Sequence, residues 1–75
     1  MNIKTQNKIN KLIDIYNKKQ NKFEMLFEIE STAYLKYNIK LKNKIDNNIY
    51  FVSGATSQQK IIDKIKKLIS ETKGE

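Results

Sequence analysis

A chain of 75 residues with formal charge +7, no cysteine and no histidine supports one small domain with a modest core. The missing residue types exclude disulfides, thiolate chemistry, histidine-based acid–base catalysis and the commonest metal ligands. The charge points to an anionic partner, but every basic residue is Lys and none is Arg. Lys, Ile and Asn are abundant together, as A/T-rich codons produce, so where the lysines sit says more than how many there are. The absence of Arg also weighs against base-edge readout of DNA.

In chain order, Ile9, Leu12, Ile13 and Tyr16 fall at i, i+3, i+4 and i+7 and predict an amphipathic helix from Asn7 to Gln20. Lys8, Lys11, Lys18 and Lys19 occupy its remaining surface, and Asn21 with Lys22 ends it. The period then changes to two. Phe23, Met25, Phe27 and Ile29 alternate with Glu24, Leu26, Glu28 and Glu30, predicting a half-buried strand with an acidic outer face. A short turn at 30–32 leads to a second strand, where Leu35, Tyr37, Ile39 and Leu41 alternate with Lys36, Asn38, Lys40 and Lys42. Glutamates facing lysines across a hairpin contribute about 0.2–1 kcal/mol per pair. Asp46, Asn47 and Asn48 predict a second hairpin turn, and Ile49 to Ser53 a third strand that Gly54 should end. Ile61, Ile65, Leu68 and Ile69, with Ile62 at the shoulder, predict a last helix. Its start is capped either by Thr56, in a Thr56–Gln59 capping box, or by Ser57. The tail, 71–75, is expected to fray.

The expected fold class is α+β, an αβββα two-layer domain with a three-stranded antiparallel sheet and both helices on one face. One domain spans 1–75, with its core at about 7–70.

This order, over residues 8 to 69, resembles the double-stranded RNA-binding domain. The family's Leu-x-Glu-x-x-Gln pattern in its first helix is met by Leu12, Asp14 and Asn17, both polar side chains one methylene shorter. Phe23 stands where an aromatic opens the first strand, and Tyr37, Ile39 and Leu41 follow the second strand's spacing. The Gly-x-Ser-Lys-Lys-x-Ala-Lys that begins the last helix reads Ala55-Thr56-Ser57-Gln58-Gln59-Lys60-Ile61-Ile62 here. The serine is kept, while the tandem lysines have become Gln58 and Gln59 and the third has become Ile62. Glu30 to Ala33 replaces the Gly-Pro-x-His of the first hairpin loop.

The resemblance implies binding of double-stranded RNA through phosphates and A-form shape, across about 16 base pairs. Asp14 and Asn17 would face one minor groove, and Glu30, Ser31 and Thr32 the next. Ser57, Gln58, Gln59, Lys60 and Lys64 would meet the phosphates between them. Helix N-termini favour anions in any case, although a lysine stripe is more often only a solvated face. Tyr34, Tyr37 and Tyr50 read more readily as structural than as base-stacking residues.

No nucleophile–base pair, phosphate-binding glycine loop or metal cluster is found in the sequence, so the expectation is a non-enzyme without cofactor, metal or small-molecule substrate. With no apolar run longer than four residues and no apolar leader after Met1, a membrane is not expected as a partner and the expected location is cytoplasmic. Small size, basicity and A/T-rich coding suit a viral or phage counter-defence factor. The alternative reading is a protein-binding module or homodimer that blocks a host nucleic-acid defence complex with a degenerate RNA-binding fold.

Overall fold

The computed structural model describes residues 3–72; the expected fraying at 73–75 lies outside the described residues. Helix α1 runs Ile3–Lys19, strand β1 Phe23–Ser31, β2 Leu35–Asn43, β3 Ile49–Ala55, and helix α2 Gln58–Glu71. The sheet has the order β1-β2-β3, antiparallel throughout, and the helices pack against one of its faces. The α+β reading is therefore observed.

Periodicity accounts for the layers. Ile9 and Tyr16 from α1, Met25, Tyr37 and Ile39 from the strands, and Ile61, Ile62 and Ile65 from α2 form the buried core. Phe27 and Tyr37 stack beneath the helices with ring centroids 6.2 Å apart. On the opposite face the register sets Glu24 against Lys42 and Glu30 against Lys36, and Lys40 pairs diagonally with Glu28 at 2.8 Å. Burial and charge thus select the same pairing.

The boundaries move for identifiable reasons. Helix α1 begins at Ile3, ahead of the predicted Asn7. Ile3, in its first turn, is exposed, so that turn carries no apolar period. Gln20 leaves the helix and turns inward instead. Its Oε1 accepts the Phe23 N–H at 2.7 Å and its Nε2 donates to the Phe23 carbonyl. The strand β1 continues through Glu30 and Ser31, which pair with Lys36 and Leu35; the turn is Thr32–Tyr34, not 30–32.

The second hairpin uses its Asn and Asp residues as expected. Asn47 has φ 62°, a conformation asparagine tolerates. Asn43 Oδ1 accepts the Ile45 N–H at 2.8 Å and Asp46 Oδ1 the Asn48 N–H at 2.9 Å. Gly54 does not end β3 but lies within it, opposite Asn38. A Cβ there would stand 2.8 Å from Asn38 Oδ1 and 2.9 Å from Lys36 Cε, so a side chain at 54 would make those two side-chain ends shift. The register also shifts between Ile39 and Lys40, leaving Val52 as the extra residue of a β-bulge.

At its start α2 is capped by Ser57, whose Oγ accepts the Lys60 N–H. The Thr56–Gln59 capping box does not form, because Gln59 is turned toward Asp63. Glu71 closes the helix, and Thr72 caps it through its N–H to Leu68 and Ile69 carbonyls and its Oγ1 to Leu68 at 2.7 Å.

Burial holds the Tyr16 hydroxyl above its ordinary pKa, opposed by its hydrogen bond with Thr72. The unfolded chain ionises first, so Tyr16's contribution is complete below about pH 10. It is lost as pH rises through the higher folded value. Tyr16→Phe is expected to flatten the alkaline fall of the urea midpoint, and to cost about 0.5–1.5 kcal/mol at neutral pH through the lost hydrogen bond. An alkaline slope equal to that of the parent would contradict this.

Candidate nucleic-acid interface

The chain path brings two of the three expected contact regions to one end of the sheet. Tyr37 pairs with Ile29 on one side and Ala55 on the other, so α2 starts at the same end as the β1–β2 turn. Gln58 Nε2 donating to the Tyr37 hydroxyl at 3.2 Å ties that start to the sheet. Both helices finish at the other end. There Asn17 reaches the start of β1 and the Lys19 ammonium donates to the Ile69 carbonyl at 2.8 Å.

The first two turns of α2 bring Lys60 and Lys64 to this end. Ser57 satisfies the Lys60 amide and the Ser57 carbonyl takes the Ile61 N–H. The first turn contains no acidic residue to offset the positive end of the helix dipole. Lys60 is exposed and Lys64, one turn on, is half-buried. Three ion pairs occur among the described residues, Lys18–Asp14, Lys40–Glu28 and Lys67–Glu71, so Lys60 and Lys64 have no carboxylate partner. Asp63 lies between them, and the Gln59 amide donates to it at 2.9 Å.

The remaining expected residues divide. Thr32 lies in the turn, its N–H donating to the Tyr34 carbonyl, and Ser31 is exposed beside it. Glu30 belongs to the outer sheet face, where it accepts from Asn38 Nδ2 at 3.2 Å. Asp14 is exposed on α1 and pairs with Lys18 at 3.0 Å, an arrangement that contributes about 0.3–0.5 kcal/mol. Asn17 is a structural residue in this geometry: its Oδ1 accepts the Met25 N–H at 2.8 Å and joins α1 to β1.

One group escaped the sequence reading. Lys4, Asn7, Lys8, Asn10, Lys11 and Asp14 line a shallow open groove on the exposed side of α1. Lys4, Lys8 and Lys11 fall at i, i+4 and i+7, a spacing visible in the sequence. A helix taken to start at Asn7 leaves Lys4 out and breaks the stripe.

Among the described residues, no helix is long and apolar enough to cross a membrane, and no cluster of three or more metal-ligating side chains occurs. The architecture defines a small α+β protein of αβββα topology, compatible with a double-stranded RNA-binding-like fold. Compared with protein-family models, curated proteins and solved structures, the chain matches none.

Proposed function

We propose that this domain binds double-stranded RNA without catalysis, holding backbone phosphates and reading A-form shape rather than sequence. The observation that carries this reading is the start of α2, where a capped helix N-terminus without acid in its first turn adjoins Lys60 and Lys64, neither with a carboxylate partner among the described residues. A phosphate there meets the helix dipole and two ammonium groups together. The β1–β2 turn stands at the same end of the sheet and offers Ser31 and Thr32 to a neighbouring groove. The lysines on the exposed side of α1 add sequence-independent attraction.

Titration with an RNA duplex of about 20 base pairs, beside a DNA duplex of the same sequence and at several salt concentrations, tests the reading. The expected result is micromolar or weaker affinity for RNA, falling steeply with salt. Equal affinity for the two duplexes, or binding indifferent to salt, overturns it.

The second reading is a protein-binding module that blocks a nucleic-acid defence complex. It is favoured by the engagement of Gln58 with Tyr37 and of Gln59 with Asp63, where the resembled family has lysines turned to phosphate. Gel filtration without retention of duplex RNA, together with one stoichiometric protein partner, would select it.

A further inference from the structure

We infer that the outer face of the sheet, away from the helices, holds an unpaired guanine base, stacked on Phe51 and read along its edge by Asn38, Glu30 and Lys36. Asn38 alternates with the core residues Tyr37 and Ile39 and so belongs to the outer face, yet it is only 7% exposed. Its Nδ2 donates to Glu30 Oε2 at 3.2 Å. An ionised carboxylate only accepts, so this bond fixes the amide with Oδ1 turned toward β3. There Oδ1 is buried without a hydrogen-bond partner among the described residues, next to Gly54, where a Cβ would come within 2.8 Å of it. A buried acceptor left unpaired is costly and rare, and a ligand donor would satisfy it.

The atoms that close over this spot are the ends of two movable side chains. Phe51 Cζ stands 3.2 Å and Lys36 Cε 2.9 Å from the same Cβ position, and the Lys36 ammonium lies 6.0 Å from the Phe51 ring centroid. Packing on Gly54 accounts for the tip of Phe51. It does not account for the rest of the ring, which is 60% exposed on an open face. A ligand that stacks on the ring and draws the ammonium aside uncovers Oδ1.

Chemistry selects the ligand. An exposed aromatic face takes a planar π-system, as a nucleobase provides. The groups beside it are two acceptors, Asn38 Oδ1 and the Glu30 carboxylate, and one donor, the Lys36 ammonium. Guanine carries the complementary edge, two N–H donor groups beside a carbonyl acceptor, whereas adenine, cytosine and uracil each offer a single donor group. That edge is engaged within a duplex, so the base must come from a single-stranded segment. Glu30 faces Lys36 across the strands, which balances charge at this spot. Stacking and hydrogen bonds, rather than attraction for phosphate, therefore carry the affinity.

Titration of the isotope-labelled chain with GMP, AMP, CMP and UMP at millimolar concentration, followed by amide NMR, is the test. GMP is expected to shift the amides of Lys36, Asn38, Phe51 and Gly54 and the Asn38 side-chain NH2. It should bind about fivefold more tightly than the other three, and lose little affinity as salt rises, unlike duplex RNA. Phe51→Leu, at an exposed position, should weaken GMP roughly tenfold. Asn38→Leu, of similar shape, should remove the preference for guanine, with circular dichroism confirming the fold; should it unfold, Glu30→Ala at an exposed position probes the same edge. Lys60→Glu with Lys64→Glu should leave GMP binding unchanged, so this inference and duplex binding fail separately. No shift with any nucleotide, equal affinity for all four, the same shifts with inorganic phosphate, or parental binding by Phe51→Leu overturns the inference.

Discussion

Replacing both Lys60 and Lys64 with Glu is expected to weaken duplex RNA binding by at least about tenfold, and to lower the slope of log affinity against log salt by about two. Both ammonium groups lie on the first two turns of α2, without a carboxylate partner among the described residues, beside an N-terminus that already favours anions. Reversal inserts two negative charges where the phosphates would sit. The matched control is Lys44→Glu with Lys66→Glu, which changes net charge equally at two exposed positions, in the β2–β3 turn and on the later turns of α2. Lys19 is not a neutral control, because its ammonium donates to the Ile69 carbonyl and links the helices. Equal losses for the two double variants would mean that only overall charge matters, and would remove α2's start from the interface.

The largest effect on stability is expected from Ile39→Ala. Ile39 lies at the centre of the middle strand, fully buried in the core. Truncation there removes transfer free energy and leaves a cavity, together about 2–5 kcal/mol. A domain of this size has a total of roughly 4–11 kcal/mol at about 0.05–0.15 kcal/mol per residue, so half of the stability can be lost in one substitution. Urea unfolding of Ile39→Ala beside Ile45→Ala gives the contrast, since Ile45 is 87% exposed in the second turn and should shift stability by no more than about 0.5 kcal/mol. A loss below about 1 kcal/mol for Ile39→Ala would mean that this core is loosely packed.

What the sequence made legible was what repeats. Alternation through Phe23, Met25 and Phe27, and again through Tyr37, Ile39 and Leu41, fixes faces, and the Glu–Lys complementarity fixes register. Asn47 was readable because so few residues accept positive φ. The departures come from interactions that leave no period. Gly54 lies inside β3, close to the Asn38 and Lys36 side chains across the sheet, and glycine as a strand breaker is a rule blind to those neighbours. Val52 bulges, so a strict period of two fails within a short strand. Asn17 and Gln20 look like ordinary polar residues near a helix end, yet both turn inward to backbone groups of β1. Of the candidate interface, the lysines and the serine at α2 could be read directly. The engagement of Gln58 and Gln59, the strand position of Glu30 and the reach of α1 back to Lys4 depend on three-dimensional partners.

The same two amides say something about assembly. Gln20 bonds to a residue three positions away and Asn17 to one eight positions away, whereas the Lys19–Ile69 link spans fifty. Loop-closure entropy grows with the logarithm of that separation, and contacts this local form on the fastest timescales of folding. The corner between α1 and β1 is thus far less demanding to close than the docking of α2.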